Sequence, residues 1–174
     1  VGVGALLARR DAPIVPIAHG GGQERQVRSG TLDAAGIHSF AVALEETVAH
    51  RDVEAKRVLT LRDRLLEGAV GLGLGITVSG CWTAGDATKR LPGNAHLLVP
   101  GCEGDSLLYL LDAAGVECST GSACQAGVPQ PSHVLLAMGH TEAQARGARR
   151  PSPGHPATAA DVRAAATSPR QARV

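Results

Sequence analysis

The residues of this chain best suited to chemistry are one thiol and one arginine-bearing loop. Cys124 stands in Ser119-Thr-Gly-Ser-Ala-Cys-Gln-Ala-Gly127, a run of small residues between a strand-like segment and a helix start marked by Pro131 and Ser132. A thiol on such a loop is accessible, as a nucleophilic cysteine must be, although no neighbour in sequence marks its pKa as lowered. A nucleophile and an unremarkable loop cysteine are both open readings. His19-Gly-Gly-Gly-Gln-Glu-Arg-Gln-Val-Arg-Ser-Gly-Thr31 joins a flexible backbone to arginines and hydroxyls. That combination suits a phosphate or other oxyanion, and it equally suits a solvated surface loop.

Other chemistries lack the required spacing. Cys81, Cys102, Cys118 and Cys124 form no CxxC pair, and the seven histidines fall at no metal-ligand interval, so no metal site is expected. Gly2-Val-Gly4 and Gly71-Leu-Gly-Leu-Gly75 miss the dinucleotide fingerprint, and no phosphate-binding GxxxxGK[ST] loop occurs. Four cysteines in 174 residues do not make a disulfide-stapled mini-domain, which points to a reducing, cytoplasmic compartment.

Composition narrows the class further. Seventeen basic residues against 16 acidic give a net charge of +1, which argues against nucleic acid or an anionic membrane held by bulk electrostatics. No apolar run reaches the length of a membrane span. Lys56 and Lys89 are the only lysines, and Phe40, Trp82 and Tyr109 the only aromatic residues, so a core must be built from Leu, Val, Ile and Ala.

The elements that must position these residues alternate between helix and strand. Val1–Ala8 reads as a buried strand, followed by a second short apolar stretch at Ile14–Ile17. Ile37, Phe40, Ala41, Leu44 and Val48, continued by Val58, Leu61, Leu65 and Leu66, give helical periodicity ending near Gly68. Ile76–Val78, Ala95–Val99 and Val116–Thr120 read as strands, and Asp105 or Ser106 can cap a helix through Leu111. Ser132 caps a short helix closed by Gly139, and Thr141 with Gln144 has capping-box spacing. Residues 148–174 contain no Leu, Ile, Met or aromatic residue and hold four of the ten prolines. A helix from Thr158 and Asp161 would find little apolar surface to bury, so this tail is expected to pack poorly.

Four blocks, His19–Thr31, Arg90-Leu-Pro-Gly-Asn-Ala-His96, Gly101–Gly127 and Pro131–Gly139, resemble the C-terminal half of a cysteine desulfurase, most like actinobacterial sequences. These are pyridoxal-phosphate enzymes of the class V aminotransferase group. The resemblance runs from Val1 to about Gly147. It implies an α/β, fold type I architecture truncated to the end of the large domain (1–35) and the small domain (36–147), with a degenerate tail at 148–174. It also implies conversion of L-cysteine to L-alanine, with the sulfur passed as a persulfide to an acceptor such as an iron–sulfur scaffold protein, in a cytoplasmic homodimer. Residue by residue, Cys124 corresponds to the active-site thiol. Thr31 corresponds to the hydroxyl that reaches the cofactor phosphate of the neighbouring subunit, and Arg150 to the guanidinium that clamps the substrate carboxylate.

Two departures set further expectations. The family's Schiff-base lysine would fall just before Val1, and neither Lys56 nor Lys89 has its context, so this chain alone is expected to be inactive. A cofactor-independent persulfide carrier through Cys124 and a non-functional truncated fragment are the alternatives. Arg149, Pro151 and Pro153 stand where the family has an apolar strand, and alternate prolines are expected to break a central strand.

Overall fold

The computed structural model describes residues 2–102, 104–120 and 130–171. Residues 1–51 and 52–174 form two compact units. That division falls within the first helix.

Residues 2–17 contain no strand, and Leu6, Leu7, Val15 and Ile17 are exposed. The strand expected at Val1–Ala8 is thus absent: its apolar character has no pairing partner among the described residues of this unit. The glycine-rich segment closes on itself. Ala18 pairs with Arg28 in a parallel bridge, the Ser29 N–H donates to the Ala18 carbonyl (3.3 Å), and the Gly30 N–H donates to Gln23 Oε1 (3.0 Å). At its tip a single 3-10 turn, Glu24–Gln26, holds three consecutive non-glycine residues at φ 50°, 57° and 64°. Left-handed backbone at three such residues is strained and needs the surrounding bonds to hold it. The expected loop is a loop, though an ordered one.

Helix α1 (Ala34–Val70) is one continuous helix. It stops where Gly71 donates to the Glu67 carbonyl (2.8 Å) and Gly73 turns left-handed. Its C-terminal half buries Val58, Leu61, Leu65, Leu66 and Ala69, the apolar stripe read from sequence. The second unit adds β1 (Thr77–Val78), β2 (Leu97–Leu98), α2 (Gly104–Ala113), α3 (His133–Ala137), α4 (Glu142–Arg146), β3 (Ala148–Arg149) and α5 (Ala159–Gln171). The strands form an antiparallel sheet in the order β1-β2-β3, with Thr77 opposite Leu98 and Leu97 opposite Arg149. Ser119 extends it beyond β3 through a bridge to Arg150, which is all that forms of the strand expected at Val116–Thr120. Two caps fall where the sequence puts them: Ser132 Oγ accepts from Leu135, and Thr141 and Gln144 form a complete capping box. Asp105 and Ser106, expected as a cap, lie inside α2 because that helix already starts at Gly104.

The tail departs from expectation. β3 lies between β2 and Ser119 and ends just before Pro151. The Pro151 carbonyl still accepts from the Ala95 N–H (3.3 Å), so the proline costs the sheet one donor at its end rather than breaking it. Helix α5 buries Val162, Ala166 and Ser168, and Val162 and Ala166 join α1, α2 and β2 in the main core. Small residues suffice because they meet small residues: a Cβ built on Gly68 would lie 2.8 Å from that of Ala166. Pro169 lacks the N–H that would bond the Ala165 carbonyl, and the Ser168 hydroxyl takes that acceptor at 2.8 Å. Arg57 pins the preceding turn, donating to the carbonyls of Gly154 (3.2 Å), His155 (2.9 Å) and Ala157 (2.8 Å).

Candidate active-site cavity

An open cavity of about 410 Å³ lies in the second unit between the sheet, the loop before β2 and α3. Cys81, Lys89, Arg90, Asn94, His96 and Arg150 supply its polar wall, and Leu91, Val134, Leu135 and Met138 its apolar one. Among the described residues no carboxylate lines it, so their charge there is basic and favours an anion.

Arg90 is committed to the wall itself. Its guanidinium donates to the carbonyls of Cys81 (3.1 Å) and Ser79 and to Asn94 Oδ1 (2.9 Å), closing the loop across the cavity floor. Arg150 sits on the β3 edge, where it exchanges backbone bonds with Ser119 (2.7 and 3.4 Å) while its exposed side chain lines the cavity. His96 extends β2, and its buried Nδ1 meets no hydrogen-bond partner among the described residues. Burial first, then the charges of Arg90, Arg150 and His140, hold this imidazole below the ordinary 6.5, so it stays neutral at pH 7.

The predicted site residues are distributed as follows. Arg150 lines the cavity. Thr31 is exposed in the first unit, directly after the closed glycine loop. Cys124 lies outside the described residues. The chain leaves the described structure beside the cavity and re-enters beside it: Ser119 is bridged to Arg150, and Ser132 is part of the lining. Arg90, Asn94 and His96 were not singled out as site residues, although the Arg90–His96 block that carries the resemblance contains all three. Among the described residues, no group of His, Cys, Asp and Glu is arranged to hold a metal.

Relatives share this sequence and this fold. An IscS-like cysteine desulfurase of Mycobacterium tuberculosis is 54% identical over 164 residues, covering 94% of this chain and 41% of the relative. This chain is homologous to part of a cysteine desulfurase. A cysteine desulfurase of Gluconacetobacter diazotrophicus is 41% identical over 92% of the chain and 39% of its own length. Among solved structures, a NifS-like protein superposes with a TM-score of 0.75 at 30% identity, covering 95% of this chain and 41% of that one. A second, from Rickettsia africae, gives 0.74 at 25% identity, covering 91% and 40%. No family model matches. The chain spans about two-fifths of the length of these desulfurases, and its mixed helix and sheet are the corresponding portion of their α/β fold.

The described residues do not by themselves fit pyridoxal phosphate. Holding that cofactor takes a lysine for the Schiff base and a carboxylate partner for the pyridinium nitrogen. Lys56 is exposed on α1, Lys89 is exposed on the cavity rim, and no carboxylate lines the cavity. The basic lining suits an anion.

Proposed function

We propose that this chain is the thiol-bearing part of a cysteine desulfurase, which turns L-cysteine into L-alanine and carries the sulfur away as a protein persulfide. Cys124 is the sulfur acceptor: its thiolate forms an S–S bond as the substrate's sulfur leaves carbon. Arg150 receives the substrate carboxylate in the basic cavity, where a planar guanidinium pairs with both oxygens. Thr31 would hold the cofactor phosphate through its hydroxyl, across a homodimer. The persulfide then passes to an acceptor such as an iron–sulfur scaffold protein, in the cytoplasm.

One observation carries this reading: the segment holding Cys124 is tied at one end to Arg150, through Ser119, and at the other to the cavity wall, through Ser132. These two anchors support the reading in which the thiol and the carboxylate clamp serve one site.

The test is sulfur transfer onto this chain from an active desulfurase supplied with L-cysteine, read by mass spectrometry of alkylated peptides. Persulfide is expected on the Cys124 peptide and lost in Cys124→Ser; a label confined to Cys81, Cys102 or Cys118 overturns the assignment. Labelling by thiosulfate alone would favour a cofactor-independent carrier. Borohydride treatment with pyridoxal phosphate is expected to fix no specific lysine adduct, since both lysines are solvent-exposed.

A further inference from the structure

The basic cavity rim hangs from a buried ion pair that plays no part in the chemistry proposed for it. Arg62 and Asp63, in the C-terminal half of α1, are 0% and 7% exposed. Arg62 donates to Asp63 Oδ1 through Nε (2.9 Å) and Nη2 (2.8 Å). The pair then reaches the loop between β1 and β2 at four points. Arg62 bonds the carbonyls of Asp86 (3.2 Å) and Leu91 (3.4 Å). Asp63 accepts the Trp82 indole N–H on Oδ1 (2.9 Å) and the Gly85 N–H on Oδ2 (2.7 Å). The segment so held, 82–91, carries Lys89, Arg90 and Leu91 into the cavity wall and follows directly on Cys81.

A buried pair is a poor source of net stability, because desolvating both charges costs about what their attraction returns. What it supplies is geometry: two charged groups whose remaining hydrogen-bonding capacity is met only when the loop lies in one place. We propose that Arg62 and Asp63 are positioning residues, which set the rim loop so that Lys89 and Arg90 present their charge to an anion, the substrate carboxylate, entering the cavity. This deepens the desulfurase reading and rests on it for the identity of the anion.

Cys81, exposed on the rim beside Arg90, reports the field there. Its reaction rate is measured peptide by peptide with dithiobis(nitrobenzoate), an anionic reagent, and with N-ethylmaleimide, a neutral one. The ratio of the two rates in the wild type is expected to exceed that of an unfolded control and to fall with salt. Asp63→Asn keeps the shape of the side chain but removes a negative charge, which alone would raise the ratio, so the several-fold fall expected reads displacement of the loop. Trp82→Phe, which deletes one donor from a folded core, is expected to lower it by a smaller factor. Leu65→Ala, a core truncation on α1 that leaves the ion pair in place, lowers stability and is expected to leave the ratio intact. A wild-type ratio equal to that of the unfolded control overturns the proposal. An unchanged ratio in both loop variants, or an equal fall in Leu65→Ala, overturns it too. The desulfurase reading fails elsewhere, by absence of persulfide at Cys124, so the two failures are distinguishable.

Discussion

At the scale of single residues, the second unit keeps polar groups buried where an apolar side chain would be simpler, and two of them, Ser79 and Ser132, line the cavity. Arg149 is buried at 2% exposure on β3, in a position that the resemblance makes apolar. Burial lowers its pKa, opposed by the neighbouring Cys118, Cys102 and Asp105. His96, whose imidazole lines the cavity and is held below its ordinary pKa by burial, shows the same economy. Its consequence for pH has a definite sign. In the unfolded chain the imidazole titrates at its ordinary value; in the folded protein it titrates lower. As pH falls through about 6.5 the unfolded state binds the proton first, so stability is full above that value and is lost toward the lower folded pKa. His96→Gln is expected to reduce the drop in urea midpoint between about pH 7.5 and about pH 5, relative to wild type. An unchanged pH profile would mean that the imidazole is hydrated in solution.

At the scale of elements, the crossing of α1 and α5 depends on one pair of small residues. In an exposed helix Gly→Ala gains about 1 kcal/mol. At Gly68 the added methyl meets the Ala166 side chain at 2.8 Å, and forced overpacking costs roughly 1–3 kcal/mol, so Gly68→Ala is expected to be neutral to destabilising. Ala166→Gly in the same chain clears the space and lets the helix gain appear. A double-mutant cycle by urea unfolding should therefore show favourable coupling of about 1 kcal/mol, and additivity would refute direct contact. This crossing also shows where sequence stops being legible. The caps at Ser132, Thr141 and Gln144, the apolar stripe of α1 and the strands at Thr77–Val78 and Leu97–Leu98 are local signals, and each was readable. The packing of α5 was not, because hydrophobic patterning measures how much apolar surface a helix has and not how closely its partner allows it to approach. In the site, Arg150 was readable only through the family pattern. The Arg62–Asp63 clamp gave no signal, because two adjacent charges on a helix usually mark a solvated face.

At the scale of the whole molecule, the two units differ in what holds them. Both hydrophobic clusters belong to residues 52–174. Among the described residues of the first unit only Ser29 is buried, while Leu7 and Ile17 are 99% and 95% exposed. Apolar side chains at that exposure normally mark a surface that another element covers. Along the first half of α1, Phe40, Leu44 and Val48 are likewise 37%, 52% and 57% exposed. A helical stretch of that length without packing is marginal in water, since propagation barely offsets the cost of nucleation. Amides on one helix should then divide sharply. Those of Leu61, Leu65, Leu66 and Ala69 open only with the core, whereas those of Ala41 to His50 open by fraying, at a free energy near zero. Hydrogen exchange read by mass spectrometry is expected to show rapid exchange through residues 38–51 and strong protection through residues 58–69, at every protein concentration at which the chain is monomeric. Equal protection along the whole helix would refute an uncovered first half. Protection of residues 38–51 that rises with concentration, while residues 58–69 stay constant, would identify a second copy of the chain as the covering partner.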